Sequence, residues 1–466
     1  MILSKILANI KHYLATTGVN VRLRPGQISI FQALHDFLAS GQIQGYLKLP
    51  SGIGKTNLAI ELAISGGFNK VLFLVPTLTL VNQTVERFRS FSGFQDIGIF
   101  IGTKKSIDSP ITVATYQSFQ KLAKYATLLN QFELVIWDEI HHALTPNRRK
   151  IMTLFPEHTI HLGLTASDTY NQDKTVSNFM PLIAEMSIEE AIKLKMLCGV
   201  RCWIAQTDID LSSIKIIRGD YDARAQKRII DVQRRNQQAV QIYAEYLYGQ
   251  TCLVTCINIE HAIKVAELFK KAGIKAEAVW GSTQKHYLPA KELRQRLEDF
   301  KTGKLQVITT VDLLDTGFDN TLLSCLINLR ITSSLVKATQ RGGRVLRLFD
   351  YKDTNQPAAK FLKRKFGGKL ATVVDLLDEC GNHGYRPVLF SDILDNNMIL
   401  SPGMEQYQNR AVRKQRSNFL WPSDTQLVPI KLHTTMTEVA KITSQLTTFA
   451  NLPVVNEEGL VGIPVN

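Results

Sequence analysis

A glycine-containing segment between two apolar stretches constrains the fold of this chain more than any other feature. Residues 49–56 read Leu-Pro-Ser-Gly-Ile-Gly-Lys-Thr; they follow the strand-like run 46–49 and precede a helical pattern that extends to Ile64. A strand, a glycine-containing loop and a helix in this order present backbone amides and a helix N-terminus to phosphate groups. The segment therefore predicts an α/β domain that binds a nucleoside triphosphate.

The side chains of this loop have distinct predicted roles. Lys55 is predicted to be catalytic, as a positive charge on the phosphates, and the hydroxyl of Thr56 is a predicted ligand of Mg²⁺. Leu49 stands where the full phosphate-loop pattern has a small residue. The predicted nucleotide-binding residues are Ser51, Gly52, Ile53, Gly54, Lys55 and Thr56.

Two acids follow the apolar run 134–137. We predict that Asp138 holds Mg²⁺ through water and that Glu139 orients or deprotonates the attacking water. A capped strand end with two exposed acids is the alternative. His141 is predicted to contact the segment 164–167, Leu-Thr-Ala-Ser, and so to couple nucleotide state to motion.

A distant segment can supply cations to the same phosphates. Residues 340–347 read Gln-Arg-Gly-Gly-Arg-Val-Leu-Arg. A phosphate loop together with a remote arginine pair suggests a site that closes between two domains, so that hydrolysis drives domain motion. A surface ion-pair network is the alternative for these arginines.

Apolar, β-branched runs alternate with helical patterns in two series, which predicts two α/β cores in tandem, each with a parallel sheet. The predicted strands of the first core are 46–49, 71–75, 111–114, 134–137 and 160–164, and those of the second are 251–254, 276–279, 307–310, 325–328 and 371–374. The predicted organisation is an amphipathic helix within 1–20, a first domain over 21–200, a second over 201–400 and an extension of unknown role over 401–466.

Composition narrows the class of partner. The chain has 466 residues, a formal net charge of +14 and a pI near 9.4, which suits a nucleic-acid-binding enzyme. Basic residues cluster at 360–369 and 410–416. Six cysteines do not make a disulfide framework, and buried thiols are preferred over a zinc site at the Cys198/Cys202 and Cys252/Cys256 pairs.

No apolar run has membrane-spanning length and no signal-peptide pattern is present. We therefore expect a cytoplasmic, nucleic-acid-associated protein with no membrane partner; mitochondrial or nuclear placement remains open for a eukaryotic source. The N-terminal helix is expected to dock on the first domain, with a mitochondrial presequence as the alternative.

With these motifs the sequence resembles superfamily-two helicases, in particular the DExH-type branch shared with restriction-enzyme motor subunits and DNA-repair translocases. The motifs that carry the resemblance are 24–27, 50–56, 138–141, 165–167, 315–319 and 340–347. The resemblance implies two tandem RecA-like domains with an ATP cleft between them. It also implies that Gln27 reads the adenine base and that Gly317 and Asp319 bind nucleotide. By the same resemblance, Arg344 and Arg347 stabilise charge on the γ-phosphoryl group, and Gln340 places water.

Hydroxyl and amide residues at strand ends can bind phosphates without reading bases. The predicted nucleic-acid contacts are Pro76, Thr77, Thr115, Tyr116, Gln117, Gly281, Thr309 and Thr310. Ordinary turn chemistry is the alternative for each of them alone. DNA is favoured over RNA by the resemblance. The predicted function is an ATP-dependent helicase or translocase; an RNA helicase, or a nucleic-acid-stimulated ATPase switch without processive unwinding, is the alternative, and a metabolic ATPase is disfavoured.

Overall fold

The computed structural model describes residues 2–15, 23–102, 104–122, 126–167, 169–171, 174–211, 213–217, 220–230, 233–281, 287–311, 320–349, 355–379, 387–394, 451–455 and 460–464. The predicted nucleotide contacts Gly317 and Asp319 and the basic cluster at 410–416 lie outside these residues. The chain divides into two compact units, residues 1–196 and 197–466.

The first unit alternates helices and strands. Its elements are α1 (Ile2–Ala15), α2 (Pro25–Ala39), β1 (Gln44–Lys48), α3 (Lys55–Ser65), β2 (Val71–Val75), α4 (Leu78–Ser92), β3 (Ile97–Phe100), β4 (Ile111–Thr115), α5 (Tyr116–Leu122), α6 (Ala126–Leu129), β5 (Leu134–Asp138), a 3₁₀ helix (Ile140–Leu144), α7 (Pro146–Met152), β6 (Ile160–Thr165), β7 (Thr169–Asn171), β8 (Lys174–Thr175), β9 (Leu182–Glu185) and α8 (Ile188–Lys193).

Seven of these strands form one parallel sheet in the order β3-β4-β2-β5-β6-β1-β9. The central strands are buried along their whole length, because helices cover both faces of a parallel sheet. Helix α1 packs on α2 and α3, with Ile6 and Ile10 buried and the Tyr13 ring 5.4 Å from that of Phe31.

The second unit repeats the pattern. Its elements are β10 (Gly199–Asp210), β11 (Ile216–Ile217), β12 (Asp220–Tyr221), α9 (Ala223–Ile229), α10 (Gln233–Ile242), a π-helical turn (Tyr243–Leu247), β13 (Thr251–Thr255), α11 (Ile259–Lys271), β14 (Ala276–Val279), α12 (Ala290–Lys301), β15 (Val307–Thr310), β16 (Leu323–Asn328), α13 (Leu335–Gly342), α14 (Pro357–Phe366), β17 (Leu370–Glu379), α15 (Phe390–Ile393), β18 (Asn451–Val455) and β19 (Leu460–Pro464).

Six strands of this unit form a second parallel sheet in the order β10-β17-β16-β13-β15-β14. The predicted α/β class with two parallel sheets is therefore confirmed. The predicted series omitted the 12-residue edge strand β10, in which Arg201 and the polar residues from Gln206 onward leave only the short apolar run 202–205.

Buried polar groups tie the second unit together. The side chains of Arg235 and Asp378 are fully buried, and the guanidinium donates from Nε and NH2 to both carboxylate oxygens at 3.1 and 3.0 Å. Arg235 also donates to the carbonyl of Leu329, and Thr207 donates to Asp378. This network joins α10 to β17 and to the end of β16. The cysteines of the described residues are buried free thiols: Cys198, Cys202, Cys252, Cys256 and Cys325.

Among the described residues, the helices are too short or too polar to cross a lipid bilayer.

Candidate nucleotide and nucleic-acid sites

The phosphate loop joins the central strand β1 to helix α3. Gly52 and Gly54 have φ angles of 93° and 91°, in the left-handed region that glycine adopts without strain, and Gly54 caps α3. Lys55 is buried, and its Nζ donates to the carbonyl of Leu49 at 3.0 Å. The loop thus presents the N-terminus of α3 and the Lys55 ammonium on one side.

Gln27 supports this loop from α2. Its Nε2 donates to the carbonyls of Ile53 at 3.0 Å and Gly54 at 3.1 Å, while its Oε1 accepts from the amide of Arg24 at 2.9 Å. The side chain is 2% exposed. Gln27 therefore fixes the position of the loop backbone in this structure, and its predicted contact with the adenine base stays a prediction.

Asp138 is the last residue of β5, and Glu139 follows it. In the sheet, β6 lies between β5 and β1, the strand that leads into the phosphate loop. Glu139 has a φ of 52°, which is uncommon for a residue with a side chain and turns it out of the strand direction. Its Oε2 lies 3.4 Å from Nδ1 of His141. Burial, followed by the charge of Glu139, raises the pKa of Asp138 to about 7, while the charge of Lys55 opposes the shift.

His141 links the acids to the neighbouring strand. Its Nδ1 lies 3.1 Å from the Oγ1 of Thr165, at the end of β6, and Thr165 donates to the carbonyl of Ser167. His141 and Thr165 are both buried. The contact expected between His141 and the segment 164–167 is present, and the role of His141 in coupling nucleotide state to motion stays a prediction.

The predicted metal ligands suit Mg²⁺ chemically. Mg²⁺ is bound by oxygen donors, and Thr56 offers a hydroxyl while Asp138 offers a carboxylate. The raised pKa of Asp138 reflects burial of a carboxyl group next to a second acid. A divalent cation would offset both effects and favour the ionised form. The residues present therefore fit a magnesium ion.

The arginine-rich segment lies in the second unit. Gln340 is on α13, and Arg344 and Arg347 follow the end of that helix. The backbone turns at once, since the amides of Arg344 and Val345 donate to the carbonyls of Arg341 and Gly342.

Glycine is required at one position of this segment. A Cβ on Gly342 would lie 2.0 Å from the ring of Phe390, so only glycine lets α13 approach α15 this closely. The close approach fixes the direction in which the chain leaves α13 toward Arg344.

Asp220 anchors the start of α13 and was not singled out by its sequence. Its carboxylate accepts from Nζ of Lys337 at 2.7 Å, from Oγ1 of Thr332 at 3.0 Å and from the amide of Ser333 at 2.9 Å. Burial favours the neutral acid, but the hydrogen bond and charge of Lys337 prevail and leave the pKa of Asp220 lowered. The hairpin β11–β12 thereby holds the helix that precedes the arginines. No local pattern could have indicated this, since the partners are more than 110 residues apart.

The predicted nucleic-acid contacts of the first unit differ in exposure. Pro76 and Thr77 are half-buried after β2, and Thr77 caps α4 by accepting from the amide of Leu80. Gln117 is exposed. Thr115 is buried, and its hydroxyl donates to Oγ of Ser118 at 2.9 Å.

Tyr116 lies inside the first unit. It is 1% exposed, its hydroxyl donates to the carbonyl of Asp138 at 2.9 Å, and the guanidinium of Arg148 lies 5.1 Å from its ring centre. In this arrangement Tyr116 connects the end of β4 to the backbone of the acid pair. The described geometry therefore gives Tyr116 a positioning role next to the acids.

In the second unit, Gly281 is exposed two residues after β14. Thr309 is buried and donates to the carbonyl of Ala262 at 2.7 Å, which uses its hydroxyl within the core. Thr310 ends β15, and its buried Oγ1 has no hydrogen-bond partner among the described residues. Because β14 and β15 are parallel, Gly281 and Thr310 follow the same edge of the sheet.

Two family models match parts of this chain. Residues 20–169 match a family model described as "Type III restriction enzyme, res subunit", and residues 214–349 match one described as "Helicase conserved C-terminal domain". Together these models cover more than half of the chain.

Two curated relatives are informative. The chain is 27% identical over 356 residues to the "Putative mitochondrial ATP-dependent helicase irc3" of Schizosaccharomyces pombe, which covers 71% of this chain and 56% of the relative. It is 35% identical over 150 residues to the "DNA 3'-5' translocase XPB2" of Sulfurisphaera tokodaii, which covers 32% of this chain and 33% of the relative. The chain thus spans little more than half of the first relative and a third of the second.

Among solved structures, a fragment of a putative HsdR subunit of a type I restriction enzyme from Vibrio vulnificus is similar in fold. The TM-score is 0.57 at 20% sequence identity, over 81% of this chain and 72% of that one.

Proposed function

Because this chain belongs to the superfamily-two helicases, we propose that it is a nucleic-acid-dependent ATPase that moves along DNA. The observation that carries the proposal is the chain of contacts from the acid pair to the segment 165–167. It connects the acid pair at the end of β5 to the end of the neighbouring strand β6, a link through which a motor could pass on a change at the nucleotide.

The first unit supplies the nucleotide site. The N-terminus of α3 and Lys55 bind the phosphates, with Thr56 and Asp138 as ligands of Mg²⁺, which when bound would neutralise phosphate charge. Glu139 holds the attacking water. His141 lies next to both Glu139 and Thr165, so a change in charge at Glu139 would alter the contact between His141 and Thr165.

The second unit supplies the remaining cations. Arg344 and Arg347 stabilise charge on the transferring phosphoryl group, and Gln340 orients water. Gly317 and Asp319 complete the proposed nucleotide contacts. An arginine that acts in this way is worth about 10³–10⁵ in rate. We expect Arg344→Ala to lower kcat by at least about 10³-fold with little loss of ATP binding.

The strand-end residues form the proposed track. Exposed Gln117 and Gly281 and half-buried Pro76 and Thr77 can reach a phosphate backbone, whereas Thr310 is buried at the end of β15 and contacts it only if that strand end opens. Thr115, Tyr116 and Thr309 support these strand ends from inside. Such contacts bind with little sequence preference and with a steep dependence on salt. DNA is the proposed track because a relative named a DNA translocase is 35% identical to this chain over 150 residues.

The test is the steady-state ATPase rate with matched double-stranded DNA, single-stranded DNA and single-stranded RNA. We expect DNA to stimulate the wild-type protein, and Lys55→Ala and Glu139→Gln to abolish the stimulated rate. Stimulation mainly by RNA would contradict the choice of DNA, and a rate that no nucleic acid changes would contradict the motor itself.

Glu139→Gln is the sharper of the two variants. It keeps the shape of the side chain but removes the charge that orients water, so ATP binding should persist. Loss of both binding and turnover would point to misfolding; Glu157→Gln, at an exposed acid of the same unit, is the matched control.

A further inference from the structure

Helix α14 presents a face of positive charge that the nucleotide site does not use. Lys360, Lys363 and Arg364 are exposed and lie at positions i, i+3 and i+4, so they share one side of the helix. The buried residues of α14 are Ala359, Leu362 and Phe366, on the other side. No acidic residue occurs in the sequence between Asp353 and Asp375. The three exposed cations are called the basic face below.

A buried cation lies beneath this helix. Arg201 on β10 is 0% exposed, and its guanidinium lies 4.7 Å from the ring centre of Phe366 and 5.4 Å from that of Trp203. Its NH2 donates to Thr372, but Nε and NH1 have no hydrogen-bond partner among the described residues. Burial lowers the pKa of Arg201, and burial together with the charge of Arg201 lowers the pKa of Lys365.

Positive charge therefore accumulates here, and among the residues that the structure describes no carboxylate pairs with it. Lysine and arginine in the last turn of a helix interact favourably with its dipole, which accounts for part of the clustering. The dipole does not account for Arg201, which lies on a strand, nor for Lys360 in the first half of α14. A polyanion bound to the exposed side of α14 would offset the charge of the basic face and that of the buried Arg201.

The basic face is remote from the proposed track within the same unit. Helix α14 ends at Phe366, four residues before β17 begins, so its last turn lies at the amino edge of the parallel sheet. Gly281 and Thr310 follow strands at the carboxyl edge. Strands of four to six residues separate the two edges by roughly 13–20 Å. A nucleic-acid strand bound along the carboxyl edge therefore does not also contact the basic face of α14. A further segment of the nucleic acid would have to turn toward α14.

We propose that the basic face of α14 binds the phosphate backbone of a duplex segment flanking the strand held at the carboxyl edge of the sheet. The proposal rests on the proposed function, since it adds a second contact to the same nucleic acid. A duplex is favoured over a second single strand because duplex DNA carries one phosphate charge per about 1.7 Å of its axis. The three exposed cations lie within one or two turns of α14, so their close spacing suits this high density of phosphate charge.

The test compares a triple substitution with a charge-matched control. The variant Lys360→Gln, Lys363→Gln, Arg364→Gln removes the basic face and spares Lys365, which packs on the rings of Phe361 and Phe366. The control Lys291→Gln, Arg294→Gln, Lys301→Gln removes the same charge from α12, where cations alternate with Glu292, Glu298 and Asp299. All six positions are exposed, so both proteins should fold.

Affinity is measured against salt with two probes, a 12-nucleotide single strand and the same strand joined to a 20-base-pair duplex. Each cation–phosphate contact contributes about 0.9 to the slope of log affinity against log salt for duplex DNA. For the joined probe we expect the basic-face variant to lose about 2.7 from this slope and at least about tenfold in affinity at 100 mM salt. The short probe, the α12 control and the rate with saturating short strand should be unchanged.

Two results would overturn the proposal. One is an unchanged slope for the joined probe in the basic-face variant; the other is an equal loss in the α12 control, which would indicate a general effect of net charge. An equal loss on both probes would also count against a duplex contact. Failure of the proposed function is distinguishable, because it appears as a wild-type ATPase rate that the short strand does not stimulate.

Discussion

Gln27 is the residue whose observed contacts most refine its expected role. Both its amide hydrogens serve loop carbonyls, so Gln27→Met, which keeps the volume, leaves the carbonyls of Ile53 and Gly54 without these donors. Losing such bonds costs about 1–3 kcal/mol. We expect the KM for ATP to rise about five- to tenfold or more, measured by steady-state ATPase kinetics.

The same assay separates loop support from base reading. If Gln27 acts only on the loop, KM for ATP and GTP should rise by the same factor. A collapse of the preference for ATP over GTP would show instead that the side chain reads the base. Gln32→Met is the control, because that exposed glutamine on the same helix donates only to Asp36 in the described contacts.

At the scale of elements, α13 depends on the hairpin β11–β12. Asp220→Asn removes the charge that binds Lys337 while leaving the size of the side chain. Lys337 is 41% exposed, so the loss of stability should be only about 1 kcal/mol after solvent screening. We expect kcat to fall roughly threefold to tenfold, with KM for ATP little changed, because the helix that precedes Arg344 loses its anchor.

Asp222→Asn provides the control for this prediction. Asp222 caps α9 through the amides of Arg224 and Ala225, and asparagine caps a helix about as well as aspartate. An Asp220→Asn protein with wild-type kcat would refute the anchoring role. A rise in KM for ATP together with a fall in kcat and a lower melting temperature would point to general loss of structure.

At the scale of the whole molecule, the two units have separate cores, so a substitution that destabilises one core should leave the stability of the other unit unchanged. Asp378→Asn breaks the buried pair with Arg235 and leaves a charge without its partner, which costs about 3–5 kcal/mol. We expect hydrogen exchange to accelerate in β13 and β16 and to stay unchanged in β2 and β5.

Asp299→Asn is the comparison for this variant, since the Asp299 carboxylate pairs with exposed Lys304 and accepts from Gln295 on the same helix, near the surface. Such a pair contributes about 0–1 kcal/mol, so exchange should stay near wild type in both units. Equal acceleration across all four strands in the Asp378 variant would mean that the chain unfolds as one cooperative body.

The sequence predicted the parts of this protein that local chemistry specifies. Strands such as Val71–Val75 are apolar on both faces, because helices cover both sides of a parallel sheet, so the run itself indicates the structure. The phosphate loop is equally local: strand, glycines, lysine and helix are adjacent in the chain, and both glycines have the positive φ that their type permits. The resemblance to superfamily-two helicases rests on the same short segments.

Tertiary structure alone decided what depends on contacts between distant residues. Tyr116 reads as an accessible strand-end residue, yet packing carries its hydroxyl inward to Asp138, 22 positions away. Strand β10 was missed because Arg201 interrupts its apolar pattern, and its place at the edge of the sheet follows from pairing with β17, 171 positions along the chain. Asp220 acquires its role only through partners beyond residue 330. Such contacts depend on how the whole sheet assembles, so no short window of sequence contains them.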